Sequence, residues 1–272
     1  MKFLSTVGES PTADLRTALT QGLAPDGGLS LPQRLDPMDT STLEGLHGRS
    51  FSDVSRVVAK HLLGSVIPHE DLDRIVEAAL NFDVPLVSLG DELSRDIHLL
   101  ELFHGPTFAF KDVGARFMAQ LMGYLRTEDD APVTILAATS GDTGSAVAQA
   151  FFGVAGIRTV ILFPRNKVTA LQERQFSTLG GNVSVLEVDG TFDDCQSLVK
   201  SAFSDRGLNQ TVHLSSANSI NVGRLLPQIF YYVYAAAQLP PGSTPLFSVP
   251  SGNFGNLTAG LMAKKLGVAC RG

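Results

Sequence analysis

The sequence predicts an α/β protein built on an open, twisted parallel sheet with helices on both faces. Three observations carry this prediction. From residue 98 onward, short apolar runs alternate with amphipathic stretches, the pattern of parallel strands joined by right-handed helical crossovers. The apolar runs are nearly continuous rather than alternating, so both faces of each strand are covered. A helical prelude over 1–90 does not fit the rhythm of a closed barrel, so the sheet is open.

The elements follow in order. Val54, Val57, Val58 and Leu62 share one face of a helix at 52–63; Leu72, Ile75, Val76, Ala79 and Leu80 do the same at 69–82, after Pro68. Strands are expected at 98–103 (HLLELF), 133–139 (VTILAAT), 158–164 (RTVILFP), 183–189 (VSVLEVD), 211–216 (TVHLSS) and 245–251 (PLFSVPS). Helices are expected between and after them at 112–126, 142–152, 168–179, 192–204, 220–238 and 256–266. The alternation then demands another strand, and KKLGVACRG stops where it would begin. The expectation is a truncated chain with an incomplete sheet. Three regions are expected: a helical region over 1–92 that joins a larger domain, an α/β domain over 93–240, and the start of the remaining large-domain sheet over 241–272.

With 272 residues, 44% hydrophobic and 18% charged, the chain is too apolar for disorder and long enough for a full core, with about two domains expected. Its net charge of −6 argues against a general nucleic-acid or anionic-membrane binder. Two cysteines, Cys195 and Cys270, are too few for a disulfide framework and suit a reducing compartment. The opening MKFLSTVGES lacks a long apolar region, and no run approaches a membrane span. A cytoplasmic protein is expected.

Ligands of open α/β sheets bind beyond the carboxyl ends of the strands, and three such junctions carry unusual residues. In 103–112 (FHGPTFAFKD), Lys111 is flanked by Phe108 and Phe110 at the mouth of an apolar helix. Partial desolvation there would favour the neutral amine that Schiff-base or general-base chemistry needs. The bland reading is a lysine snorkelling to solvent, although a cation in a first turn opposes the helix dipole. In 138–146 (ATSGDTGSA), glycines and hydroxyls run from strand into helix. They form either an anion cradle or an ordinary capped turn. The run 249–256 (VPSGNFGN) has the same two readings. Two oxyanion cradles and one lysine together match the needs of a pyridoxal phosphate enzyme acting on an amino acid.

On these residues the chain closely resembles the threonine synthases. The resemblance is carried by HGPTFAFKD, ATSGDTGSA, LQERQFSTLGGNVSVLEVDGTFDDCQSLV, SSANSINVGRLLPQIFYY, VPSGNFGNLTAGL and the opening TQGLAPDGGLSLP, and it spans essentially the whole chain. It implies the fold type II architecture of pyridoxal phosphate enzymes, like the tryptophan synthase β subunit, with an incomplete large domain. It also implies conversion of O-phospho-L-homoserine and water to L-threonine and phosphate. By motif, Lys111 would bond the cofactor aldehyde and serve as the catalytic base. Gly252, Asn253, Phe254, Gly255 and Asn256 would bind the cofactor phosphate, and Ser140, Gly141, Asp142 and Thr143 the substrate carboxylate. Ser216, Asn218, Ser219, Asn221 and Arg224 are assigned to the substrate phosphate, with Arg165 and Lys167 as a rival site. Family members continue well past Gly272, and the remaining part carries a hydroxyl residue for the pyridine nitrogen. Low or no activity is therefore expected of this chain.

Other residues have bland readings. His47, His61, His69, His98 and His213 fit no metal spacing, His104 reads as a turn residue or a cofactor neighbour, Asp112 as a helix-start carboxylate, and Cys195 as core. Rival functions are a threonine-synthase-like phospho-lyase releasing 2-oxobutanoate, a dehydratase or cysteine-synthase type of enzyme, and a non-catalytic remnant binding a phosphate ligand or a partner.

Overall fold

A computed structural model describes residues 1–90 and 96–271. The first third is mainly helical. Strands β1 (Phe3–Ser5) and β2 (Ser30–Pro32) form an antiparallel pair around α1 (Leu15–Gln21). Helices α2 (Thr40–Glu44), α3 (Phe51–Leu63) and α4 (His69–Ala79) follow. The side chain of Asp14 accepts from the Thr17 N–H and that of Ser50 from the Asp53 N–H, so α1 and α3 begin where these caps satisfy free amides.

Strands β3 (Leu86–Ser88) and β4 (His98–Leu100) pair antiparallel. The run 98–103 is thus a short hairpin arm rather than a member of the parallel sheet. It is largely exposed and breaks off before the 105–110 turn. Helix α5 (Lys111–Leu125) comes next, and Val113, Phe117, Met118 and Leu121 are fully buried along it.

The parallel sheet holds four strands in the order β7-β6-β5-β8: β5 (Val133–Ala138), β6 (Ile157–Pro164), β7 (Val183–Val188) and β8 (Leu214–Ser215). Its register pairs Val133 with Ile157, Thr159 with Val183 and Thr134 with Leu214. The crossovers are α6 (Asp142–Phe151), α7 (Ala170–Ser177), α8 (Phe192–Ser204) and α9 (Arg206–Val212). Every residue of β5 is buried, because both of its faces are covered. Ile135, Ala137, Ile161 and Phe163 enter the main core, while Leu136, Ala138 and Leu162 pack with Cys195 and Val199 of α8 in a second cluster. Cys195 is a core residue, as expected.

The chain closes with α10 (Val222–Leu225), α11 (Gln228–Gln238) and α12 (Gly255–Lys265). Three further expectations are corrected here. The run 211–216 contributes only Leu214 and Ser215 to the sheet, because Asp205 caps α9 and draws Thr211 and Val212 into a helix that ends at left-handed His213. The run 245–251 forms no strand: Leu246 makes one isolated parallel bridge to Arg271. The helical stretch 220–238 is split at Pro227, which closes α10 and opens α11.

Candidate active site

Lys111 is the first residue of α5, and the 105–110 turn before it is held from within. Asp112 is buried and accepts from both the N–H (2.9 Å) and the hydroxyl (2.6 Å) of Thr107. Gly105 makes room for this: a Cβ there would lie 2.5 Å from the Asp112 carboxylate. Burial raises the Asp112 pKa, against the pull of the Thr107 bonds. Phe108 adopts a left-handed conformation and is 66% exposed, so it does not shield the lysine as expected. The ammonium lies 5.0 Å from the centroid of the Phe110 ring and 3.4 Å from Oδ2 of Asp142. It is ion-paired, not merely desolvated.

The second loop folds around Thr139. This buried hydroxyl accepts from the N–H groups of Gly141 (3.0 Å) and Gly144 (2.8 Å) and donates to the Gly141 carbonyl. Gly141, at φ 146°, is the residue that opens α6, with no side-chain cap. The first turn of α6 is thus capped by the Thr139 hydroxyl rather than by a side chain at the helix boundary.

In the third loop Phe254 precedes α12, and the Asn253 side chain accepts from the Gly255 N–H at 3.2 Å. Asn256 faces inward: its Oδ1 accepts from the hydroxyls of Tyr231 (2.7 Å) and Tyr232 (2.8 Å). Burial raises both phenols, that of Tyr232 to about 12. A Cβ at Gly252 would meet nothing within 4 Å.

Arg224 on α10 completes the arrangement. Its guanidinium is 3% exposed and donates through Nη1 to the Ala217 carbonyl at 2.7 Å, while Nε is buried without a partner. Burial lowers its pKa to about 10, with Asp112 opposing the shift. Gly114 of α5 allows this close approach, since a Cβ there would stand 2.9 Å from the Arg224 carbonyl and 3.0 Å from its Nε.

These parts converge on one cleft of about 1050 Å³, lined by Lys111, Thr143, Ser216, Asn218, Arg224 and Asn253, among others. Ser219, Gly255 and Asn256 also border it. Ser140, Gly141, Asp142, Gly252 and Phe254 stand on the same loops. Asn221 sits behind the cleft, fully buried, where its amide donates to the Leu19 and Ser216 carbonyls and accepts from the Gly223 N–H. Arg165 pairs with Glu187 and Asp189 and does not line the cleft. His104 is bonded to Glu101 at 2.7 Å. Spacing alone passes over Thr139, Gln172, Tyr231 and Tyr232, although the Thr169–Gln172 capping box is a legible signal.

Comparison with known proteins identifies the family. Residues 81–269 match the model described as "Pyridoxal-phosphate dependent enzyme". The chain belongs to the pyridoxal-phosphate dependent enzyme family. Residues 2–80 match a second model, "Threonine synthase N terminus". Threonine synthase of Serratia marcescens is 46% identical over 98% of this chain and 62% of its own length. The crystal structure of threonine synthase from Escherichia coli superposes with a TM-score of 0.89 at 46% identity, covering 99% of this chain and 62% of that one. A PLP-bound threonine synthase from Brucella melitensis gives 0.92 at 41% identity, covering 99% and 59%. The chain thus spans about 62% of the length of the threonine synthases of Serratia marcescens and Escherichia coli.

The residues present fit the family's cofactor. A pyridoxal phosphate needs a primary amine for its aldehyde and amide donors for its phosphate. Lys111 offers the first, and the open Gly252–Asn256 loop leading into α12 offers the second. Arg224 also borders the cleft, although its partnerless Nε is buried against Gly114.

Proposed function

We propose that this chain carries the active-site half of a threonine synthase, which converts O-phospho-L-homoserine and water to L-threonine and phosphate. The observation that carries the reading is the convergence of Lys111, two glycine-rich strand-to-helix loops and a buried Arg224 on one cleft. The reaction calls for one amine and three anion contacts, and the cleft has a candidate for each.

Lys111 would hold the cofactor through its aldehyde until the substrate amine replaces it. The freed Nζ would move protons one at a time, taking one from substrate Cα and one from Cβ. It would return one to Cγ after phosphate has left and one to Cα after water has added at Cβ, while the water's remaining proton leaves with the phosphate. The cofactor supplies the electron sink that makes those protons acidic. The N–H groups of Gly252, Asn253, Phe254, Gly255 and Asn256 would hold its phosphate, with Asn256 anchored by two tyrosines. Ser140, Gly141, Asp142 and Thr143 would orient the substrate carboxylate. Ser216, Asn218 and Arg224 would receive the substrate phosphate, for which a guanidinium fork is well suited, with Asn221 supporting their loop from behind. Two free cysteines and an acidic charge balance support a cytoplasmic setting.

Incubation with pyridoxal phosphate followed by borohydride reduction and peptide mass spectrometry tests the reading. Selective modification of Lys111 is expected, and labelling spread over surface lysines would overturn it. Product analysis with O-phospho-L-homoserine then separates threonine formation from a phospho-lyase that releases 2-oxobutanoate.

A further inference from the structure

The Asp142 carboxylate is held from two sides. Oδ2 accepts from Lys111 at 3.4 Å, and Oδ1 accepts from Nε2 of Gln172 at 2.7 Å. Gln172 belongs to α7, thirty residues along the chain, and its amide orientation is fixed by chemistry. Its Oε1 lies 3.1 Å from the backbone N–H of Thr169, which can only donate, while Nε2 faces a carboxylate that can only accept. The same Oε1 accepts from the Thr169 hydroxyl, which accepts in turn from the Gln172 N–H. Helix α7 is tied to α6 by the Ser145 hydroxyl on the Gln172 carbonyl (3.3 Å) and the Gln149 amide on the Gln175 carbonyl (3.1 Å). Gly141 is the opening through which the Gln172 amide reaches: a Cβ there would overlap it.

We infer that Gln172 is a positioning residue, which holds Asp142 in the rotamer that pairs with Lys111 and so presents the amine to the cleft. A capping box needs an acceptor three residues after the cap and nothing more. The second end of this amide is spent on the loop that carries Asp142. The role toward the cofactor rests on the function proposed above, but the Lys111–Asp142 geometry does not.

The test measures the rate at which Lys111 of the whole, cofactor-free chain reacts with trace acetic anhydride, read by peptide mass spectrometry. Gln172→Met removes the donor to Asp142 and should speed Lys111 labelling roughly two- to fivefold, the range that a loosened exposed ion pair supplies. Gln172→Glu keeps the capping acceptor but turns a like charge toward Asp142, and should slow it. Thr169→Val weakens the cap while leaving the amide on Asp142, and should leave it unchanged. Adding Gln172→Met to Asp142→Asn should change the rate no further than Asp142→Asn alone. Were Gln172 only a cap, Gln172→Glu would label like the wild type and Thr169→Val would mimic Gln172→Met; either result overturns the proposal. Failure of wild-type Lys111 to form a borohydride-trapped adduct with pyridoxal phosphate would instead overturn the cofactor reading and leave the labelling result standing.

Discussion

Replacing Arg224 by methionine separates an anion-binding residue from a structural one. From its ordinary 12.5 down to about 10, the guanidinium carries a penalty of about 3 kcal/mol for being charged in the fold. Because the folded value is depressed for a base, that penalty is present at neutral pH and is relieved only as pH rises through about 10. The bond to the Ala217 carbonyl returns about 1.5–3 kcal/mol, the range for a charged donor. Methionine removes penalty and bond together and keeps most of the apolar volume, so stability without ligand should change by no more than about 1.5 kcal/mol. Ligand response should change much more. At a phosphate concentration a hundredfold above its dissociation constant, the wild type gains about 2.7 kcal/mol. For a chain of this size that is roughly 5–10 °C in melting temperature. The variant should gain almost nothing. Thermal melts with and without inorganic phosphate make the comparison. A variant destabilised by more than about 3 kcal/mol without ligand, or one that responds to phosphate like the wild type, would refute the reasoning.

Three further outcomes are expected. Gly114→Ala forces a methyl against the backbone and guanidinium of Arg224, and should lower stability by about 1–3 kcal/mol in urea titrations. Asn256→Ala leaves the Tyr231 and Tyr232 hydroxyls without their shared acceptor; a loss of about 1–3 kcal/mol is expected, and circular-dichroism melts would detect it. Asp112 has a folded pKa raised from 3.8, so its contribution to stability is fully present below that value and lost as pH rises through the folded one. Asp112→Asn should remove that decline from the pH–stability curve, while losing one acceptor for Thr107 at every pH.

The sheet was legible where covering on both faces made it apolar throughout. Strands β5, β6 and β7 fall within a residue of their expected limits, as do the limits of α3 and α8. Legibility failed where a local cap competed with strand propensity. Thr211 and Val212 are β-formers by type, yet Asp205 bonds the Leu208 N–H and starts a helix that reaches them. It failed again at 245–251, where an apolar run has only Arg271 beside it for pairing among the described residues. In the site, the glycine and hydroxyl loops could be read because their chemistry is local. Contacts between segments could not: Gly114 against Arg224, Asn256 under two tyrosines, and Gln172 on Asp142 depend on how distant helices pack.

Those contacts set the charge pattern of the cleft. Three cations border it, Lys111, Lys200 and Arg224, and the two nearest the loops are treated differently. Lys111 has a carboxylate at 3.4 Å and an aromatic face beneath it, so its charge is already balanced. Arg224 is more deeply buried, faces a backbone carbonyl rather than a carboxylate, and keeps one donor unspent. The Asp112 charge nearby is taken up by Thr107. An incoming dianion would be drawn to the Arg224 side, where no carboxylate has to be displaced, although the unspent Nε itself is buried. At Lys111 it would have to compete with Asp142. On the function proposed above, the substrate phosphate would lie toward α10 and its amine toward Lys111.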